Sequence, residues 1–168
     1  GREGDRMRTF QVIESPVGPL TAVSTDGVLS GLFMADAAHL PDSFGEPSHD
    51  GAGHLESELA EYFAGGRREF TVPTAAVGTV FQHRVWAQLA EIPYGSTRTY
   101  LDLALALGDA RLVRAVGAAN GRNPLSIVVP CHRVVGSDGT LTGYAGGIAR
   151  KEQLLAIEDP PRRAEVLF

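Results

Sequence analysis

The chain has 168 residues, 43% of them hydrophobic and 21% charged, with a formal net charge of −5. That length makes one large domain or two small ones with enough apolar content for a core, and no apolar run is long enough for a membrane span or a secretory signal. A single cysteine, Cys131, excludes an intramolecular disulfide and fits a reducing compartment, so a cytoplasmic protein is expected.

Residues 1–6, ahead of Met7, read as a polar extension or cloning remnant outside the fold. Short apolar runs at 9–13, 20–24 and 28–33, separated by Ser-Pro-Val-Gly and Asp-Gly signals, predict an antiparallel meander. Residues 35–53, rich in Ala, Pro, Asp and Gly, read as a loop. Leu55, Leu59, Tyr62 and Phe63 then recur at helical spacing up to Gly65-Gly66, and 69–72 reads as a further strand. The stretch 7–77 is therefore expected to be a small α+β domain. From Thr79 the pattern turns helical, with Phe81, Val85, Trp86, Leu89 and Ile92 on one face until Pro93-Tyr94-Gly95 ends the run. This opens a mostly helical second domain, 78–168.

Within that domain 99–107, the turn Gly108-Asp109-Ala110 and 111–120 read as helix, turn, helix. An ordinary αα-hairpin gives the same pattern. The second helix has an unusually small surface, with Ala115, Gly117, Ala118 and Ala119 between Arg114 and Asn120-Gly121, which lets its backbone approach a narrow groove. Charge supports a polyanionic partner locally: residues 1–97 hold six Lys or Arg against thirteen Asp or Glu, whereas 98–151 hold seven against three. That excess is modest and implies few phosphate contacts.

Ser126-Ile127-Val128-Val129 is short, apolar and followed by Pro130, which predicts a buried strand delivering Cys131 at its end. A free thiol is only about 3% thiolate at neutral pH, so a nucleophilic Cys131 needs a base or a positive field, and His132 and Arg133 stand next to it. By itself a lone cysteine is more often a small buried hydrophobe. Glu158 alone reads as a solvated carboxylate, Tyr100 as a packed aromatic, and Gly143, Gly146 and Gly147 as a flexible turn.

The window from Asn123-Pro124 through Pro130-Cys131-His132-Arg133-Val134 to Thr142-Gly143-Tyr144-Ala145-Gly146-Gly147 resembles the active-site signature of the O6-alkylguanine-DNA alkyltransferases. The likeness extends to Arg114-Ala115-Val116-Gly117-Ala118-Ala119-Asn120, to Phe81-Gln82, Val85-Trp86 and Ile92-Pro93-Tyr94-Gly95, and to Lys151-Glu152 up to Glu158, covering roughly 79–158. Before Thr79 it is general, with Ser15-Pro16-Val17-Gly18-Pro19-Leu20 similar to the family's opening hairpin.

This resemblance implies an α+β fold and one-time alkyl transfer from O6-alkylguanine in double-stranded DNA. Cys131 would attack, His132 would accept its proton through a water, and Glu158 would orient the imidazole. Tyr100 would donate toward the guanine, and Asn123 would hold together the segment carrying the cysteine. Arg114, Ala115, Gly117, Ala118, Asn120 and Arg122 would face DNA, with Arg114 holding the space left by an extruded nucleotide. The pocket would use main chain at Cys131, Val134 and Ala145, beside Tyr144 and Gly146. No cofactor is expected, and no zinc, since the first half lacks cysteine and His39, His49, His54 and His83 lack ligand spacing. A monomer in solution is expected, with cooperation on DNA left open. Two other classes compete: a protein that binds alkylated bases without transfer, whose known examples lack the cysteine, and a cysteine hydrolase built on Cys131, His132 and Glu158.

Overall fold

A computed structural model describes residues 7–160; the 1–6 extension and the end of the second domain, 161–168, lie outside the described residues. Strands β1 (Arg8–Ile13), β2 (Leu20–Thr25) and β3 (Val28–Met34) form the expected meander. β1 and β2 pair antiparallel from Arg8↔Thr25 to Ile13↔Leu20, and β2 and β3 pair antiparallel with a register shift after Val23. The β2–β3 turn is Asp26-Gly27, with both φ positive at 52° and 83°, the geometry that suits the twist of a two-residue hairpin.

The 35–53 segment is not all loop. It contains a short strand, β4 (Glu46–Pro47), which pairs parallel with β1 and completes a sheet of order β3-β2-β1-β4. Phe44 packs against Phe10 and Phe33 with ring centroids 5.9 and 6.0 Å away. Two aromatic contacts anchor the segment where its composition showed only turn formers. The strand expected at 69–72 is absent, for a different reason. The amides of Thr71 and Val72 donate to the Glu58 carboxylate at 3.0 and 3.2 Å, so they are satisfied without a neighbouring strand. Burial pushes the Glu58 carboxyl up, but the Thr71 and Val72 bonds and the Arg67 charge outweigh it and leave it below its ordinary value.

Helix α1 (Leu55–Phe63) turns Leu55, Leu59 and Tyr62 into the core, and α2 (Val80–Ala90) begins at a capping box in which Thr79 and Gln82 satisfy each other's amides. A second capping box, Thr99 with Asp102, opens α3 (Tyr100–Ala106). After a 3-10 turn at Ala110–Leu112 comes α4 (Val113–Gly121), and α5 (Ile148–Glu158) closes the described chain. Strands β5 (Arg98–Thr99) and β6 (Val134–Val135) pair parallel in a small separate sheet.

One hydrophobic cluster joins both halves, from Leu20, Leu32 and Leu59 to Leu89, Val116 and Leu154. The outer edge of β3 carries the join: the Leu32 amide donates to Pro124 at 2.8 Å and the Ser126 amide to Leu32 at 3.2 Å. No helix among the described residues is long and apolar enough to cross a membrane.

Candidate active site and DNA-facing helix

The 126–129 run is not a strand. After the single bridge at Leu125 the chain makes two turns closed by hydrogen bonds between residues two apart, Val128 N–H to Ser126 O and Cys131 N–H to Val129 O, both 2.8 Å. Ile127 has φ 73°, a costly conformation for a β-branched side chain, while Pro130, at φ −80° and ψ 67°, sits in the common inverse γ-turn. Asn123 holds the bend. Its Nδ2 donates to Val129 O at 2.8 Å and its Oδ1 accepts the Leu125 amide at 3.1 Å. A β-branched sequence therefore supports a turn here because one asparagine supplies the partners a sheet would have given.

This bend sets Cys131, His132 and Arg133 on a 3-10 turn, all buried. The Cys131 thiol is pushed above its ordinary value by burial, against the Asn123 side chain and the Lys151 charge, which act in the other direction. It rests as a thiol, so a base is required. His132 is fully buried, and its Nε2 lies 2.6 Å from Glu158 Oε2. Burial raises the Glu158 carboxyl, but the His132 and Arg133 bonds and charges outweigh that and bring it to about 2. Glu158 is thus a carboxylate and Nε2 carries the proton. The other ring nitrogen, Nδ1, makes no hydrogen bond to a protein group and keeps its lone pair. Burial also pushes His132 below its ordinary value, against Glu158 and helped by Arg133 and Lys151, so the ring is a free base at neutral pH.

Arg133 does not act as the field on the thiol that its position next to Cys131 predicted. Its Nε donates to Glu158 Oε1 at 2.7 Å and its Nη1 to Ile92 O at 2.7 Å. The cation that acts on the thiol is Lys151, fully buried with Nζ donating to Thr142 O at 2.8 Å. The sequence places Lys151 only in the 98–151 basic cluster expected to face phosphate, with no part in the thiol's environment. The signal was present: Lys151, Leu154, Leu155 and Glu158 share the buried face of α5, so this lysine occupies a core position.

Tyr100 opens α3, and its hydroxyl donates to Thr142 O at 3.2 Å. Burial raises that phenol, which keeps its proton. Tyr144 is buried near Cys131 and Ser126; its hydroxyl has no protein hydrogen bond and is raised well above the ordinary value by burial. Val134 is fully buried in β6. The Ala145 carbonyl accepts the Ala38 amide at 2.9 Å, and Gly146 is packed so tightly against Met34 and the Tyr144 ring that a Cβ would overlap them. A cleft of about 260 Å³ opens beside Asn123, Ser126 and Ala145 and reaches Phe33, His39 and Pro41.

On α4 the predicted DNA-facing residues divide. Arg114, Ala115, Ala118 and Arg122 are exposed and recur on one face, with Gly117 partly exposed. Asn120 is 2% exposed and does not belong with them. It lies on the inner face with Val116 and Ala119, next to the Tyr100 hydroxyl, its Oδ1 without a partner. The basic cluster divides too. Arg133, Arg150 and Lys151 bond within the protein and Arg111 pairs with Asp109, leaving Arg98, Arg114 and Arg122 exposed and without ion pairs among the described residues. Trp86 fixes this helix by donating to Ala119 O at 2.9 Å. Among the described residues no cluster of metal-ligating side chains occurs.

A buried thiol next in sequence to a neutral imidazole, together with a helix whose outer face is small and arginine-studded, has the features required of a DNA-acting protein that uses a cysteine. Residues 80–160 match the family described as 6-O-methylguanine DNA methyltransferase, DNA binding domain. The chain is 47% identical over 154 residues to the methylated-DNA–protein-cysteine methyltransferase of Mycolicibacterium paratuberculosis, covering 90% of this chain and 93% of that one. It is 45% identical to that of Methanosarcina acetivorans, covering 89% and 97%. It also superposes on the crystal structure of Mycobacterium tuberculosis O6-methylguanine methyltransferase with a TM-score of 0.85 at 44% identity, covering 92% and 94%. The M. tuberculosis OGT crystallised in complex with DNA gives 0.85 at 45% identity, covering 90% and 93%. The chain belongs to the methylated-DNA–protein-cysteine methyltransferase family.

Proposed function

We propose that this protein repairs O6-alkylguanine in duplex DNA by a single transfer of the alkyl group to Cys131. The observation that carries the reading is the buried thiol of Cys131 beside His132, a base whose Nε2 is committed to Glu158 and whose Nδ1 is free to accept. The thiol proton passes to Nδ1 through a water. The thiolate then attacks the alkyl carbon, the sulfur–carbon bond forms as the bond to O6 breaks, and the guanine leaves with a proton in place of its alkyl group. Tyr100, held protonated, donates toward the departing base. Asn123 keeps the bend that aims Cys131. Main chain at Cys131, Val134 and Ala145 borders the base, with Tyr144 and Gly146 shaping the pocket. A thioether is a poor leaving group, so each molecule acts once and needs no cofactor.

The modified base must leave the stack to meet a thiol this deep, at a cost of a few kcal/mol that is smaller for a weakened pair. Ala115, Gly117 and Ala118 let α4 approach the minor groove, Arg114 fills the space vacated, and Arg122 contacts the backbone. Asn120 faces the base rather than the groove. The protein acts as a cytoplasmic monomer, with the chain divided after residue 77 into a supporting half and a DNA-handling half.

The test is mass spectrometry after incubation with duplex carrying O6-methylguanine and with undamaged duplex. One methyl on Cys131, saturating at one per protein, is the expected result. Lesion binding without an adduct would make the protein a non-transferring binder; neither binding nor adduct would favour a hydrolase.

A further inference from the structure

Tyr62 lies on α1, in the first half of the chain, far in sequence from the thiol, yet its ring is fully buried and its hydroxyl donates to Glu158 Oε2 at 2.6 Å. That same oxygen accepts from His132 Nε2 at 2.6 Å and from Arg133 Nη2 at 3.1 Å. Glu158 is therefore shared among the imidazole, a guanidinium and a phenol supplied from the other half of the molecule. We propose that Tyr62 is a positioning residue for alkyl transfer: its hydroxyl holds Glu158 in line with His132 and draws charge from the carboxylate, keeping the imidazole a free base. The inference rests on the assignment of Cys131 as nucleophile and His132 as its base.

The direction follows from the groups around the imidazole. Glu158 and Lys151 face it from α5, and Arg133 and Cys131 from its own turn. Tyr62 reaches Glu158 from α1, and Tyr94 lies near the same carboxylate with Arg68 stacked 5.1 Å over its ring. Only Glu158 favours the imidazolium; Arg133 and Lys151 oppose it. A carboxylate that loses one of its donors carries more charge toward its remaining partners. Without the Tyr62 hydroxyl, His132 becomes protonated at a higher pH, and a protonated His132 cannot take the thiol proton. Tyr94 is a matched control, since its hydroxyl donates to Ile157 O at 3.3 Å and does not bond Glu158.

The experiment measures the rate of methyl transfer to Cys131 from O6-methylguanine duplex, from about pH 5 to about pH 8, with the full chain. Y62F is expected to move the acid limb upward by about half a pH unit, a threefold change in the free-base ratio at a given pH, while Y94F leaves it in place. Replacing Tyr62 with 3-fluorotyrosine, a stronger donor of nearly the same shape, is expected to move the limb downward, and covers the case in which Y62F melts below the assay temperature. An unmoved limb in both Tyr62 variants, or an equal shift in Y94F, would make Tyr62 a packing residue only. Wild-type protein in the same assay keeps the two ideas apart: no transfer to Cys131 at any pH would remove the function, whereas transfer with an unmoved limb would remove only the role of Tyr62.

Discussion

Glu158 does two jobs that pull a substitution in different directions. It orients His132, and it is the counterion that lets Arg133 be buried, at 2.7 Å. Glu158→Gln is expected to slow transfer by at least about tenfold, as the loss of a positioned base partner does, while leaving affinity for alkylated duplex unchanged. It should also lower the melting temperature, because a buried guanidinium without its carboxylate costs roughly 3–5 kcal/mol. Slower transfer with wild-type melting would show that Arg133 finds another partner. The same carboxylate sets an acid limit on the fold. Its folded value, about 2, lies below the ordinary 4.5, so its contribution is complete above 4.5 and is lost as pH falls toward 2. An acid titration followed by circular dichroism should show stability falling across that window, and less steeply in Glu158→Gln. Cys131, His132 and Glu158 were all legible as residues, because the signature around them is dense. Tyr62 was legible only as core, since helical spacing marks a buried ring but says nothing of where its hydroxyl points.

Helix α4 presents Arg114, Ala115, Ala118 and Arg122 outward while Val116, Ala119 and Asn120 face in. Arg114→Ala is expected to slow transfer from duplex by about 10- to 100-fold, the loss expected if the side chain offsets part of the cost of unstacking. Transfer from the free base O6-alkylguanine should stay within about twofold. Equal losses on both substrates would place the effect in the pocket instead. Elements with strong local signals were readable: the Asp26-Gly27 hairpin, α2 behind its Thr79 cap, and α3 behind Thr99. What misled was satisfaction of backbone groups by side chains. Glu58 takes the amides of Thr71 and Val72, and Asn123 donates to the Val129 carbonyl and accepts the Leu125 amide, so two apolar runs with strand composition do not form strands. Asn120 turns inward because each residue of a helix is rotated about 100° from the last, so it lies between Ala118 and Arg122, which stand one turn apart on the outer face.

At the scale of the whole molecule, net charge and local charge point in opposite directions, and the structure narrows the local excess further. With Arg98, Arg114 and Arg122 as the exposed cations of the 98–151 cluster that have no ion pair among the described residues, and with these three as the phosphate contacts, the affinity for undamaged duplex should fall with salt at a slope of about −3 in log–log form. A slope near −6 or steeper would require phosphate contacts from elsewhere on the surface. The α+β class was readable from the change in periodicity near Thr79. The tie between the halves was not, since a bridge such as Leu32 with Leu125 spans most of the chain and leaves no local trace.

That bridge also orders events in time. A ribosome making about 5–20 residues per second finishes β3 many seconds before Pro124 and Leu125 emerge to pair with it. The nascent sheet waits with that edge incomplete, and the bend that aims Cys131 forms against a scaffold already in place. The Cys131 bend is consequently among the last features to be assembled, and a stalled chain ending ahead of residue 125 carries an unfinished sheet edge, itself a site for unwanted strand pairing, but no cysteine.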